Sequence, residues 1–416
     1  MPAAQGGSRI PAEGAASDPV AAAVRPAAVE PRATVPAATP IIVGEPPPPK
    51  TERAPLLELA FVGDVVLGEY FLGQHRSFAG PDAPAPAFAG VADLLEADLV
   101  VGNLESPVME AVPERSPHTE GHRFGGSAST VDGLAAGGFN VMSVANNHAT
   151  DLLGDGLLET PALLRARGIT PVGSAVSEGS PFRMQTVEQQ GWRVGFVAAT
   201  TWLNHRVGEG DPKLPLVRVN QLARVLTPIV QEAQAGHDLV IVLLHWGQEM
   251  RERPNVIQIH AAHALIDAGA DLVIGHHPHV LQGVERYHGG LIAYSLGNFL
   301  FPAWNEAYRD SAVLRVQFSE AGPCRQAATL TPVRLDRSPG YAPRAPDVRH
   351  QGVLTKQLRS LGRGLQTRWE TDGDSLRLQR ASKAHAGECP PPARHAKSGA
   401  ALEPKTAPPE SVTGLR

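Results

Sequence analysis

The sequence predicts an α/β domain in which a largely parallel sheet is covered by helices on both faces. Three observations carry this expectation. Apolar runs such as LVIVLL (239–244) are continuous, not alternating, as strands buried on both sides require. These runs take turns along the chain with segments of helical period and helical caps. Five of the runs also end in polar clusters, the pattern of an open α/β sheet with a ligand crevice at its carboxyl edge.

Taken in order, LLELAFVGD (56–64) reads as an apolar strand ending in Gly-Asp, followed by a short helix in FAGVADLLEA. DLVVGNLES (98–106) is a second buried strand, and STVDGLAAGG has a Ser or Thr cap and a Gly stop, the marks of a helix. FNVMSVANNHATD (139–151) is a third strand with its exit, and GDGLLETPALLRARG a helix starting near Asp155 despite Pro161. FRMQTVEQQ and WRVGFVAAT form a hairpin-like pair turning at Gly191. The amphipathic helix VNQLARVLTPIVQEAQAG leads into strand, helix and strand at DLVIVLLHWGQE, NVIQIHAAHALIDAG and DLVIGHHPH. LIAYSLGNFLF, SAVLRVQFS and AATLTPVRLD have a period of two and are expected to pair antiparallel.

Composition sets the boundaries. Residues 1–54 are rich in Ala, Pro, Val, Gly and Glu, too poor in large apolar residues to offset their ordering entropy. A similar drift begins near Asp336. The expected organisation is a disordered leader at 1–54, one folded domain at 55–335 and a low-complexity tail at 336–416. That tail contains one basic helix candidate, Leu354–Trp369. A net charge of −5 without a basic, aromatic-studded stripe argues against nucleic acid as a partner. Cys324 and Cys389 are the only cysteines, which supports neither a disulfide framework nor a thiolate metal site. The longest apolar run, Leu239–Leu244, is too short to span a bilayer. MPAAQGGSRIPAEG lacks a charged segment followed by an apolar one, so no signal peptide is expected and the compartment is left open.

The polar strand ends are Asp64, Asn103 with Glu105, Asn146-Asn147-His148, His245, and His276-His277-Pro278-His279. Asp64, Glu105, Asn147, His245, His277 and His279 make a nitrogen and oxygen donor set without sulfur. Such a set suits Mn, Fe or Zn better than Mg or Ca. Two divalent ions could share it. If the segment stays extended, His277 and His279 point the same way and His276 faces elsewhere, as a supporting donor or substrate contact. His148, an imidazole beside a metal, suits general acid catalysis at neutral pH. Asn146 and Asn147 also suit a plain turn. Trp246 suits packing, Glu249 equally a salt bridge or a supporting or substrate contact, and Asn298 either ligand orientation, substrate contact or a backbone bond; Asn103 and Asn146 are further candidates for supporting or substrate contacts. His260 and His263 read as a polar helix face, and His75, His118 and His122 as loop residues, with His118–Arg123 bordering a substrate pocket.

GDVVLG, GNLESPV, ANNHATDLLGDG, LHWGQE and GHHPHVLQGVE…GGLIAYSLGNFLF, in this order, resemble the motifs of the CapA capsule-synthesis proteins associated with poly-γ-glutamate. The resemblance covers about Leu56–Leu335. That family is similar in turn to calcineurin-like metallophosphoesterases, which implies a four-layer α/β/β/α sandwich with mixed sheets and a dinuclear metal centre. It implies that Asp64, Glu105, Asn147, His245, His277 and His279 are metal ligands and that His148 protonates the leaving group. It also implies a phosphoester or anionic polymer substrate and contact with capsule-synthesis machinery, often at the cell surface. Two positions depart from the phosphoesterase pattern. Val66 stands where a His is usual, and Asn103 where a metal-bridging Asp is usual. These favour a rival reading, a non-catalytic capsule-assembly factor on the same fold.

Overall fold

The computed structural model describes residues 53–379, apart from 73–74, 80–84, 116, 119–121, 206–207, 209, 304, 320–325, 337–340 and 366. Residues 1–52 of the expected leader, both cysteines and the chain beyond 379 lie outside the described residues.

The period of two in each strand builds two facing sheets. In the strand Leu56–Val65, Leu57, Leu59 and Phe61 point to one side and join Leu239, Ile241 and Leu243 of the strand Leu239–His245 in a shared core. On the outer face of the first strand, Ala60 and Val62 pack with Val131 and Leu134 of the helix Ala128–Ala136 and Leu163 and Leu164 of the helix Leu153–Arg165. On the opposite outer face, Val240, Val242 and Leu244 pack with Leu226 and Val230 of the helix Leu222–Ala233 and with Leu265 of the helix Val256–Asp267. The result is a helix, sheet, sheet, helix sandwich, as the sequence resemblance implied.

In the first sheet Leu56–Val65 is central. It runs parallel to Leu99–Leu104, which is followed by Val141–Ser143 and Thr170–Val172, also parallel. On its other side lies Asp310–Ser319, antiparallel to it, and beyond that Ala327–Leu335, antiparallel in turn to Asp310–Ser319. The second sheet runs Val284–Tyr287, Gly290–Ala293, Leu272–His276, Leu239–His245, Trp192–Thr200, Gln185–Gln189. The hairpin expected at Gly191 is present, with Gln190 and Gly191 both at positive φ as a tight two-residue turn requires.

Four expectations are corrected. The domain does not stop at Leu335: the helix Val348–Arg363 and the strand Ser375–Leu378 follow, and Ser375–Leu378 pairs with Ala327–Leu335. Leu354, Leu358, Trp369, Leu376 and Leu378 enter the core between the sheets, so a segment polar in composition is held by a few well-spaced apolar residues. LIAYSLGNFLF is not one antiparallel strand. Gly290–Ala293 lies parallel to Leu272–His276 in the second sheet, whereas Asn298–Leu300 lies parallel to Leu56–Val65 in the first. The crossing turns at Gly297, whose φ of 71° and close approach to the Asp310 carbonyl leave no room for a side chain. The third strand is short, Val141–Ser143, and the chain then leaves the sheet. Finally, His75 and His122 lie in strands of a small sheet built from His75–Ala79, Glu69–Leu72, His122–Ser127 and Val108–Met109. Among the described residues no helix is long and apolar enough to cross a membrane.

Candidate metal centre

The parallel strands end at one edge. Asp64 is in register with Asn103 across the first sheet, and His245 with His276 across the second. Facing of the sheets therefore brings together side chains more than two hundred positions apart, in the crevice where α/β sheets bind ligands.

Asp64 is fully buried; its Oδ1 accepts from Asn103 Nδ2 at 2.9 Å and its Oδ2 lies 3.4 Å from His279 Nδ1. His245 Nε2 lies 2.7 Å from Asn147 Oδ1 and 3.5 Å from Glu105 Oε1. His279 Nε2 lies 3.6 Å from the same Glu105 oxygen. The His277 ring sits 4.7 Å from that of His245 and 5.8 Å from that of His279. Asp64, Glu105, Asn147, His245, His277 and His279 thus converge.

The inward aim of the two histidines has a different origin from the expected one. The strand ends at His276, and His277 and His279 take positive φ, 96° and 57°, not extended backbone. Left-handed conformations at non-glycine residues cost energy and concentrate at functional sites. His276 turns away and donates from Nε2 to the Val62 carbonyl at 3.2 Å, tying the two sheets together.

Supporting bonds hold the cluster. Asn298 Oδ1 accepts from His279 Nδ1 at 2.9 Å, an assignment of the tautomer that leaves Nε2 for Glu105 or a cation. Asn146 donates to the Leu104 carbonyl at 2.7 Å and to Asn103 Oδ1 at 3.4 Å, linking two strand ends. Glu249 is exposed, and its carboxylate comes near His277 and His279. Trp246 is buried and stacks on Tyr294, as packing predicts. His263 pairs with Glu285 at 3.0 Å through a helix of the outer layer, apart from this cluster. Val66 packs with Phe124, Phe301 and Leu335, so its position carries an apolar contact where a ligand would stand.

Glu105 tests whether these residues suit a cation. It is fully buried, and neither carboxylate oxygen has a hydrogen-bond partner. His277 Nδ1 is buried and unpartnered as well. Orphaned polar groups at this depth are costly unless something meets them. Glu105, His245 and His277 present ligand atoms within 4.8 Å of one another, and so do Asp64, Glu105 and His279. Glu249, His277 and His279 form a third such group, and these overlapping nitrogen and oxygen donors without sulfur fit divalent metal ions.

The electrostatics agree. Burial, then the charge of Asp64, pushes Glu105 well above the usual carboxylate range. Burial opposes ionisation of Asp64 too, but the hydrogen bond from His279 and the charges of His276 and His279 hold it below its ordinary value. Burial would lower His279, yet Glu105 and Asp64 raise it to about 10. Burial and the neighbouring His279 bring His277 down to about 3, and burial with His277 brings His245 well below its ordinary value. His277 is therefore neutral at pH 7, and its Nδ1 has no hydrogen-bond partner.

Beside this cluster stands His148. Its Nδ1 lies 2.6 Å from Asp151 Oδ2, which also accepts from the Phe124 backbone at 2.8 Å. The Phe124 ring packs on the imidazole at 4.4 Å, and Asn204 Nδ2 lies 3.3 Å from its Nε2. Sequence reasoning misses both Asp151 and Asn204. His148 and Asp151 are three apart in one motif, a spacing that could have marked the pair; Asn204 sits in a loop with no such signal.

Residues 58–303 match the family described as Bacterial capsule synthesis protein PGA_cap. The chain belongs to this family. It is 32% identical over 304 residues to the PGA biosynthesis protein CapA of Bacillus subtilis, covering 70% of this chain and 78% of that one. It is 30% identical over 284 residues to the capsule biosynthesis protein CapA of Bacillus anthracis, covering 66% and 67%. The solved 5'-nucleotidase precursor of Thermus thermophilus aligns with a TM-score of 0.37 and 14% identity over 75% of this chain and 59% of that one, too distant to bear on function. The five motifs whose side chains meet in the crevice all lie within the matched residues.

Proposed function

We propose that this capsule-synthesis family member is a metal-dependent hydrolase acting on a phosphoester or on a γ-glutamyl bond of an anionic capsule polymer. The observation that carries the reading is Glu105, a buried carboxylate without a hydrogen bond among Asp64, His245, His277 and His279. Asp64, Glu105, Asn147, His245, His277 and His279 would hold one or two divalent ions. Such ions, when bound, supply Lewis acidity toward a phosphoryl or carbonyl oxygen and make water more acidic.

The remaining work falls to the chain's own groups. Asp151 accepts from His148 Nδ1, which leaves Nε2 to take up a proton and, as the imidazolium, pass it to the departing group, returning to the neutral ring. Asn204 and Phe124 hold the ring in place. Asn103 and Asn298 orient Asp64 and His279 and do not themselves reach the reacting atoms. The polymer substrate and capsule partners rest on family membership alone.

One observation favours a second reading, a capsule-assembly factor without turnover. Asn103 spends its amide on Asp64 and Val66 is in an apolar cluster, so two positions usual for ligands contribute none. Metal analysis and turnover separate the two. Two equivalents of metal per chain, with hydrolysis of a generic phosphodiester or a γ-glutamyl peptide abolished by His148→Ala, support the enzyme. One equivalent or none, with no turnover of either substrate class, supports the assembly factor.

A further inference from the structure

A buried guanidinium without a direct ion-pair partner stands near His148. Arg123 is 4% exposed, and among the described residues no carboxylate lies within ion-pair distance of it. Its Nη1 donates to the His122 carbonyl and its Nη2 to His205 Nδ1 at 3.2 Å, while its Nε has no partner. Because arginine can only donate, His205 Nδ1 must be the acceptor, and the ring proton sits on Nε2. His205 Nε2 is also buried without a partner. Two N–H donors on adjoining side chains are thus left without acceptors, beside a positive charge. His118 stacks on His205 at 3.8 Å between ring centroids and lies 3.2 Å from the Thr150 carbonyl through Nε2.

This cluster is wired to the reaction centre. Thr150, two residues from His148, donates to the His205 carbonyl at 3.0 Å. Asn204, which precedes His205, touches both His148 and Asn147. The nearby acid is Asp151: its Oδ2 is committed to His148 and to the Phe124 backbone, while its Oδ1 has no hydrogen-bond partner and acts on Arg123 only through its charge, without a direct ion pair. A buried cation costs free energy unless an anion meets it, and orphaned donors need acceptors. A ligand that supplies both a negative charge and several acceptor oxygens would satisfy all of them, and guanidinium binds such groups with a geometric fit.

We propose that Arg123 and His205, with His118 stacked behind, form a receptor for an oxyanion of the substrate beside His148. The oxyanion is a carboxylate or a phosphate, and the reading rests on His148 being at the reaction centre. Arg123 is in this view a substrate-binding residue that sets a preference for anionic chains over neutral ones.

The test is calorimetry on the full chain at fixed metal content, with two probes, a γ-linked glutamate trimer and inorganic phosphate. The wild type is expected to bind at least one, and which one identifies the oxyanion. Arg123→Gln is expected to weaken that binding by roughly 10–100-fold, the value of a charge-assisted hydrogen bond, with metal stoichiometry unchanged. Arg123→Lys should retain part of it, since the charge survives and the fork does not. Calorimetry reads the receptor even if no turnover is found. Should Arg123→Gln fail to fold, His205→Ala removes the second donor and must weaken binding in the same direction. Binding of neither probe to the wild type, or equal affinity in folded Arg123→Gln or His205→Ala, would overturn the proposal.

Discussion

Asp151 Oδ2 lies 2.6 Å from Nδ1 of His148, three residues earlier in the same loop, and both side chains are buried. This carboxylate decides which nitrogen of the imidazole carries a proton in the resting site. Asp151→Asn keeps the shape but loses the charge and can present its amide to the ring. Turnover should fall by roughly 10²–10⁴-fold, the range for loss of general acid–base help, while metal content stays at the wild-type level. Steady-state kinetics paired with metal analysis checks this. Unchanged kcat would remove His148 from the proton-transfer role.

Glu105 belongs to two of the three ligand groups, those that reach His245 and Asp64, so its loss should be felt by both. A ligand that binds only the folded state stabilises it by about 2.7 kcal/mol at a hundred times its dissociation constant. Chelation should therefore lower Tm by several degrees, and Mn or Zn should restore it. In Glu105→Gln the metal-dependent increment should vanish. A Tm of the Gln variant that still rises with metal would place the ions elsewhere.

Metal uptake should release protons. With His279 raised to about 10 by Glu105 and Asp64, it holds a proton at neutral pH in the metal-free site, and ligation must displace it. Apparent affinity should therefore rise with pH across the neutral range. The heat of binding should change between buffers of different ionisation enthalpy. The sign for the metal-free fold is the reverse. A histidine raised by its partners stabilises fully below its unfolded value and loses that contribution as pH climbs through about 10, so metal-free Tm should fall from pH 7 toward pH 10. Buffer-independent binding heat would contradict the proton count.

Leu376 is fully buried between the sheets although it lies well beyond the expected domain end. Leu376→Ala should cost about 2–5 kcal/mol, the range for emptying a packed leucine site. Truncation after Leu335 should leave the core face of Ala327–Leu335 uncovered and give an unfolded or aggregating product. Chemical denaturation of the point variant and solubility of the truncated one test the boundary. A stable, monomeric 55–335 fragment would restore the shorter domain.

The strands that carry Asp64, Glu105, His245 and His277 are legible because each is a continuous apolar run, and such runs have few alternative structures. The crossing at Ser295–Asn298 is not legible. Apolar residues on both sides of one glycine look like a single strand, and only the approach of Gly297 to the Asp310 carbonyl shows that the chain changes sheets. The helix Val348–Arg363 is half legible: its basic face reads as solvated, and Leu354 and Leu358 on the other face have no visible partner until the two sheets are in place.

Local order of residues alone thus determined that this chain builds layered α/β structure and that its polar groups collect at strand ends, because burial and backbone pairing act over a few neighbouring positions. Which nitrogen faces which oxygen was decided by tertiary structure. The approaches of Asn204 to His148, of His279 to Asp64 and of Glu105 to His245 all depend on segments far apart in the chain being pressed together.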